Sequence, residues 1–368
     1  MTKSAIICGG GISGLTAGIY LGRMGWDVTV CEKDAELRTA GAGLNLWPNG
    51  IRVLEKIGLR PALEKTGVFL DQYRTFSSEG ELIAVEDVKG WRETYGAPLY
   101  GVHRRHLSKM LSDALGRHNL RLGHEVASVQ QDDAGAVCTF GNGETIRGDV
   151  VLGADGVASA VRNSLFGPQE FSADERVRWR GLFNVADVHA DPKTEVEVWG
   201  TDGHFGYLPM GGGKAYWFAA ADGVTQNVEE VTGFFGGWHG SAVPAIIAAT
   251  NTSTIIRNGL RDFVRPLKNW SKGRVTLAGD AAHPVLPGMA QGANQALEDV
   301  DVLCQCLGSY DGVESALAAY ESVRIAQVAP VVKGSRALFD FEGQNEVAKG
   351  NKNPLFDRYH RLAERRVI

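Results

Sequence analysis

Three short, widely separated segments carry residue types suited to holding a phosphorylated cofactor: Gly9-Gly10-Gly11-Ile12-Ser13-Gly14, Gly153-Ala154-Asp155-Gly156 and Leu277-Ala278-Gly279-Asp280-Ala281-Ala282-His283. The first lies between an apolar run, Ala5-Ile6-Ile7-Cys8, and a stretch from Ile12 to Met24 with apolar residues at helical spacing, closed by Gly25. Between a strand and a helix, Gly9, Gly11 and Gly14 permit a tight turn, close backbone approach to a phosphate, and close packing of helix on strand. The helix start at Ile12 and Ser13 offers free N–H groups and a favourable dipole to an anion. Glu32, followed by Lys33, ends a second apolar run beginning at Asp27 and is placed for the ribose hydroxyls of an adenosine. An acid there disfavours a 2′-phosphate. A glycine triplet alone also marks mere tight packing; the strand, helix and acid around it select the dinucleotide reading. In the last segment, Asp280 is a short carboxylate able to accept hydrogen bonds from a polyhydroxyl chain. Its alternative role is a helix N-cap.

These residues need a scaffold, and the surrounding pattern predicts one. Ala5–Cys8 and Asp27–Glu32 read as parallel strands joined by the Ile12–Met24 helix, a βαβ unit. Residues 41–49 read as a glycine-rich loop, followed by an amphipathic helix over 51–57 that ends at Gly58. From Arg121 to Val151 apolar and polar residues alternate, with Gly141-Asn142-Gly143 as a hairpin signal. From about Val177 to Asp222 the pattern is strand-like and aromatic, with Trp179, Phe183, Trp199, Phe205, Tyr207, Tyr216, Trp217 and Phe218. Side chains alternate across a sheet, so one face of these strands would line a pocket. Residues 274–278 read as a buried strand, 291–307 and 313–344 as helices, and the tail after Gly350 as polar and loosely packed.

Composition narrows the function. The 368 residues contain 43 acidic and 38 basic side chains, a net charge of −5, with no basic cluster of the kind a nucleic-acid surface requires. No run approaches the roughly 18 apolar residues of a membrane span. The N-terminal apolar strand runs straight into the glycines, so it does not read as a signal peptide. Five cysteines without metal or redox spacing suit a reducing compartment, and a cytoplasmic monomer or homodimer without metal is expected.

Asp155-Gly156 with Ser159 and Arg162 resembles the second motif of the class A flavoprotein aromatic hydroxylases. Gly279-Asp280-Ala281-Ala282-His283-Pro284 followed by Pro287-Gly288-Met289-Ala290-Gln291-Gly292-Ala293-Asn294 resembles their third. Motif order and spacing match over essentially the whole chain. The resemblance implies an α/β fold: a Rossmann-like FAD-binding domain (1–75, 100–175 and 265–310), an interleaved mixed β-sheet substrate domain (76–99 and 176–264) and a C-terminal helical segment (311–368). It implies tightly bound, non-covalent FAD, with the pyrophosphate on the first motif and ribitol on Asp280. The helix near Gly292 would face the flavin pyrimidine, with Pro287, Ala293 and Asn294 beside it. Arg104, Ala42, Gly43 and Arg38 would lie along the flavin, although Arg38 and Arg104 also read as solvated charges. Asp155 is read either as acting on flavin and nicotinamide together or as a turn-stabilising carboxylate; His283 is read as structural.

The activity implied is hydroxylation of an aromatic or heteroaromatic acid, of the hydroxypyridine or hydroxybenzoate type, by O2 and NADH or NADPH through a flavin hydroperoxide. A ring-opening oxygenase is the near alternative. Segments such as Gly41-Ala42-Gly43 and Leu46-Trp47-Pro48-Asn49-Gly50 are similar to those of pyridine-carboxylate oxygenases, while Gly288 replaces a histidine of a 6-hydroxynicotinate hydroxylase. Asn45, Tyr216 and His204 match substrate-facing positions. Tyr216 also reads as a core aromatic, and His204 as a surface histidine. Two readings from other classes remain: a nicotinamide dehydrogenase built on the first motif alone, and a catalytically silent flavin-binding protein.

Overall fold

The computed structural model describes residues 2–37, 42–172, 177–224 and 226–342, the side chains of 118 and 338–342 excepted. The apolar runs at the N-terminus form the centre of a six-stranded sheet. Its order is Ser271–Lys272, Val275–Leu277, Val150–Gly153, Ser4–Cys8, Asp27–Cys31 and Leu120–Arg121, parallel except for the first pair. Such a sheet is buried on both faces and needs continuous apolar strands, which Ile6, Ile7, Val151, Leu152 and Leu277 provide. The helix Ile12–Arg23 leaves the first strand through the glycines and packs on this sheet.

A seven-stranded mixed sheet is built from Ile256–Gly259, Val177–Asn184, Lys214–Ala221, Gly203–Gly211, Thr194–Trp199, Gln72–Ser77 and Leu82–Asp87, in that order. Alternation divides its side chains. Trp179, Phe183, Val196, Val198, Phe205, Tyr207 and Trp217 point to one face and pack beneath the helices Val228–Gly236 and Val243–Ala249. Tyr207 and Trp217 are therefore core residues. The strand Gln72–Ser77 pairs in parallel with Thr194–Trp199, so this sheet begins a few residues earlier than the expected boundary at 76.

One further expectation needs correction. Residues 43–46, expected in a loop, form a strand, Gly43–Leu46, paired antiparallel with Tyr100–His103. The neighbouring strand supplies the hydrogen bonds that local sequence does not advertise. The helix expected over 313–344 is present as Val313–Glu342: its Leu317, Tyr320 and Val328 join the main core, and the Tyr320 hydroxyl donates to the Leu277 carbonyl at 2.8 Å. The tail beyond residue 342 lies outside the described residues.

Trp217 is fully buried and its indole N–H donates to Thr250 Oγ1 at 2.8 Å. Trp217→Ala is expected to destabilise the protein by about 3–5 kcal/mol, measured by chemical denaturation.

Candidate active site

The first glycine motif is shaped by backbone crowding on one side and space on the other. Gly9 has φ 110°, and a Cβ there would lie 2.3 Å from the Ala154 carbonyl oxygen; a Cβ on Gly14 would lie 1.9 Å from that of Gly9. No side chain fits at either position. A Cβ on Gly11 would meet nothing within 4 Å, and the helix beginning at Ile12 has no side-chain cap. The helix thus presents uncapped N–H groups to an open cradle, the arrangement that binds a pyrophosphate. Glu32 accepts from the Gly10 N–H at 2.7 Å and the Asp34 N–H at 3.1 Å, fixing its carboxylate beside the loop. Lys33 is exposed, and Arg38 lies outside the described residues.

The third motif hangs from one buried carboxylate. Asp299, fully buried, accepts from the Gly279 N–H at 2.7 Å, pairs with His283 Nε2 at 2.6 Å and accepts from Arg324 Nε at 2.8 Å. Burial opposes its charge, but His283 and Arg324 prevail and bring its pKa down to about 2. His283 is thereby structural. Gly279, at φ 60°, lies against Ser13, where an added Cβ would come within 2.5 Å of Oγ, so the first and third motifs meet directly. Asp280 is turned outward: it is exposed and makes no side-chain hydrogen bond among the described residues. The low-polarity surroundings raise its carboxyl pKa, against the pull of His283 and Arg104.

The helix Gly292–Ser309 also starts without a side-chain cap, and a Cβ on Gly292 would meet open space. Before it, Pro287 opens a 3-10 turn and Ala290 is held at φ 49°, a left-handed conformation costly for alanine. Ala293 is half-buried at the helix start. The side chain of Asn294 clamps the strand Gly43–Leu46 and the turn before the helix. Its amide donates to the carbonyls of Asn45 and Ala290, both at 3.0 Å, and its oxygen accepts from the Trp47 N–H at 3.0 Å. Asn294 therefore positions neighbouring backbone.

In the second motif Asp155 accepts from the N–H groups of Ala160 and Val161 at 2.8 and 3.1 Å, at the start of the helix Ala160–Phe166. Burial raises its pKa. This is the turn-stabilising role, and Gly156, at φ 77°, completes the turn. Ser159 caps the same helix, and the buried Arg162 donates to the carbonyls of Ala281 and Val157, tying second motif to third.

Across from these motifs stands the open face of the seven-stranded sheet. Gly43 is required there because a Cβ would lie 2.0 Å from Cδ1 of the Tyr216 ring. Ala42 is buried, and its carbonyl accepts from the Arg104 N–H at 3.2 Å; the Arg104 side chain is exposed. Tyr216 is half-buried, and burial raises its pKa despite the opposing effect of Arg180. Asn45, on the strand Gly43–Leu46, is buried and donates to Glu195 of the seven-stranded sheet at 2.6 Å. His204 is buried rather than at the surface: Nε2 lies 3.6 Å from Glu197, Nδ1 lies 3.1 Å from Arg178, and its ring stacks 4.0 Å from Trp199. Arg178, Arg180, Glu195 and Glu197 escaped the sequence reading. Their signal was period-two spacing: each pair occupies positions i and i+2 of an otherwise apolar strand, which puts both members on the same face.

An open cradle at two uncapped helix starts, with an outward carboxylate between them, defines a site for a flavin adenine dinucleotide. The chain belongs to the family described as FAD binding domain, which matches residues 2–335. It is 37% identical over 345 residues to 3-amino-4-hydroxybenzoate 2-monooxygenase of Streptomyces cremeus, covering 90% of this chain and 86% of that one. The structure of Klebsiella pneumoniae HpxO with FAD and uric acid superposes with a TM-score of 0.87 at 26% identity, covering 99% of this chain and 93% of that one. The tetrameric form of 2-methyl-3-hydroxypyridine-5-carboxylic acid oxygenase superposes with a TM-score of 0.83 at 28% identity, covering 100% and 98%. The protein is an enzyme of the flavin-dependent aromatic hydroxylase class, with FAD as its cofactor. Among the described residues no helix is long and apolar enough to cross a membrane.

Asp280→Ala is expected to weaken FAD binding at least tenfold while leaving thermal stability of the apoprotein within about 1 kcal/mol, because the side chain holds nothing else in place. Fluorescence titration of apoprotein with FAD reads this directly. Asp299→Asn is expected to lower stability by about 3–5 kcal/mol by leaving the buried Arg324 guanidinium without the carboxylate that its Nε bonds. Because the folded-state pKa of Asp299 lies below its unfolded value of about 3.9, its stabilisation is complete above that value. It is lost as pH falls towards about 2. Acid denaturation curves of the wild type and Asp299→Asn should accordingly converge over that window.

Proposed function

We propose that this enzyme uses NADH or NADPH and O2 to hydroxylate a hydroxybenzoate- or hydroxypyridine-type acid. The observation that carries this reading is the placement of Tyr216, whose ring packs against the Gly43 backbone and whose strand pairs with the one that bears Arg180. A ring seated beside Tyr216 would lie between the cofactor-side strand and the charged sheet face. The similarity to proteins named for aminohydroxybenzoate and hydroxypyridine carboxylate supports the substrate class.

FAD, when bound, supplies the activation of O2 and the transferred oxygen atom. Gly11 and the helix start at Ile12 hold its pyrophosphate, Glu32 its ribose and Asp280 its ribitol. The helix start at Gly292 favours negative charge at the pyrimidine end. Burial lowers the Arg180 pKa only to about 10, so the guanidinium stays cationic near neutral pH and can hold the substrate carboxylate. The raised Tyr216 pKa keeps its hydroxyl protonated, able to donate to a ring oxygen. Electron density on that oxygen activates the ring carbon to be hydroxylated. Glu197 stays ionised despite burial because His204 lies beside it, and Tyr73 and Trp199 donate to it. Arg178 donates to His204 Nδ1, which leaves the Nε2 side of the ring facing Glu197, so His204 links the two charged groups on this face. Trp199 and Phe218 form apolar walls on the same face and limit water access.

Screening hydroxybenzoic and hydroxypyridine acids for stimulated nicotinamide oxidation, with O2 uptake, tests this reading. Stimulation with one oxygen atom in the product is expected; two atoms would indicate ring opening, and no stimulation by any acid would refute the assignment. Tyr216→Phe is expected to lower kcat/KM about tenfold or more with an unchanged visible flavin spectrum, and wild-type turnover would remove Tyr216 from the site.

A further inference from the structure

A line of hydrogen bonds joins the seven-stranded sheet to the turn before the helix Gly292–Ser309. Asn45 is fixed through its backbone: its strand pairs with Tyr100–His103, and its carbonyl accepts from Asn294 Nδ2 at 3.0 Å. Asn294 also donates to the carbonyl of Ala290, the residue held at φ 49°. The Asn45 side chain reaches the other way, donating from Nδ2 to Glu195 Oε2 at 2.6 Å. Its Oδ1 is buried with no hydrogen-bond partner. At the sheet end, Glu195 is only 4% exposed, and Glu197 stands two residues along on the same face. Around Glu195 lie Tyr73, its register partner on Gln72–Ser77, and Tyr216 on Lys214–Ala221. Among the described residues no cation pairs with it, and burial and Glu197 push its carboxyl pKa well up.

We propose that Glu195 is a positioning residue that, through Asn45 and Asn294, fixes the turn at the flavin pyrimidine relative to the sheet on which the substrate lies. It does so as a carboxylic acid rather than as a carboxylate. A neutral acid and a primary amide are complementary, each with a donor and an acceptor, so the proton that removes the charge also supplies the donor that Asn45 Oδ1 lacks. A carboxylate would leave that oxygen unmet and set a second negative charge beside Glu197, where unpaired charge is costly. The two carboxyls of this strand thus divide: Glu197 keeps its charge beside His204, and Glu195 keeps its proton beside Asn45. Placement matters because a displacement of about 1 Å between reacting groups costs on the order of 10²-fold in rate.

The effect on turnover rests on the hydroxylase reading, but the protonation and the placement are tested without turnover. Glu195→Gln keeps a donor and an acceptor and carries no charge; Glu195→Leu keeps neither. Because the folded-state pKa of Glu195 lies above the unfolded value of about 4.3, the wild type loses stability as pH rises from that value, and the glutamine variant escapes this loss. Chemical denaturation of the FAD-loaded enzyme at a series of pH values is expected to show Glu195→Gln gaining on the wild type towards neutrality. Infrared spectra at neutral pH should show a protonated-carboxyl stretch that Glu195→Gln lacks. The visible flavin spectrum is expected to shift in Glu195→Leu and to return to the wild-type form in Glu195→Gln. With an acid that stimulates nicotinamide oxidation, Glu195→Leu should lower kcat/KM about tenfold or more and yield less hydroxylated product per nicotinamide oxidised, and Glu195→Gln should restore both. Asn45→Val should reproduce Glu195→Leu, and the two together should add little. The proposal is overturned if Glu195→Gln is the less stable by a margin that grows with pH, if Gln and Leu shift the flavin spectrum alike, or if Leu leaves that spectrum unchanged. Failure of the hydroxylase reading would show instead as no stimulation by any acid, with the denaturation, infrared and flavin spectra behaving as stated.

Discussion

The buried carboxylate of Asp299 is the constraint on which the cofactor site depends. It receives one bond from each of three places: the Gly279 backbone that begins the third motif, the His283 ring that ends it, and Arg324 from the C-terminal helix. Removing charges from water is expensive, and such a cluster is weak as a source of net stability compared with an apolar core. Its value here is geometric. With Gly279 and His283 both tied inward, the turn between them has one side chain free to face outward, and that side chain is Asp280. The outward carboxylate can be left without internal partners because Asp299 already holds the turn.

The same economy of roles recurs at the other motifs. Arg162 leaves the second motif to hold the Ala281 carbonyl, and Gly279 of the third motif lies against Ser13 of the first. The three segments distant in sequence thus brace one another through buried atoms. What they leave unoccupied is consistent: open space at Gly11 and Gly292, two uncapped helix starts, and one carboxylate. Residues that resemble ligands in the linear pattern divide into those that hold the scaffold, such as Asp155 and Asn294, and those that face the cleft.

Much of the cofactor side was legible because its requirements are local. A turn that admits no Cβ at Gly9 or Gly14 must be written with glycine, and a helix start must follow its strand directly. The strand Gly43–Leu46 was not legible, since its hydrogen bonds come from Tyr100–His103 and glycine argues against a strand. Nor was the attachment of the C-terminal helix, whose amphipathic pattern shows an apolar face without saying what covers it. Asp155 could not be resolved from spacing alone: a carboxylate at a tight turn reads the same whether it caps a helix or meets a ligand.

The substrate face was the least legible part, and the cause lies in how sheets build surfaces. Arg180, Tyr216 and Glu195 belong to three strands, Val177–Asn184, Lys214–Ala221 and Thr194–Trp199. The sheet order places Gly203–Gly211 between the last two, so no linear motif joins them. Alternation predicts which residues share a strand's face, but strand order and register decide which of those faces meet. Once the register is known, the alternation becomes decisive: Tyr216 pairs with Leu182 and with Leu208 on the open side, while Trp217 pairs with Gly181 and Tyr207 towards the core. A one-residue slip would exchange the two sets, burying Tyr216 and turning Trp217 outward. The crowding of Tyr216 onto Gly43 and the anchoring of Trp217 by Thr250 both oppose that slip. The core therefore sets the chemistry of the open face as well as the stability of the sheet.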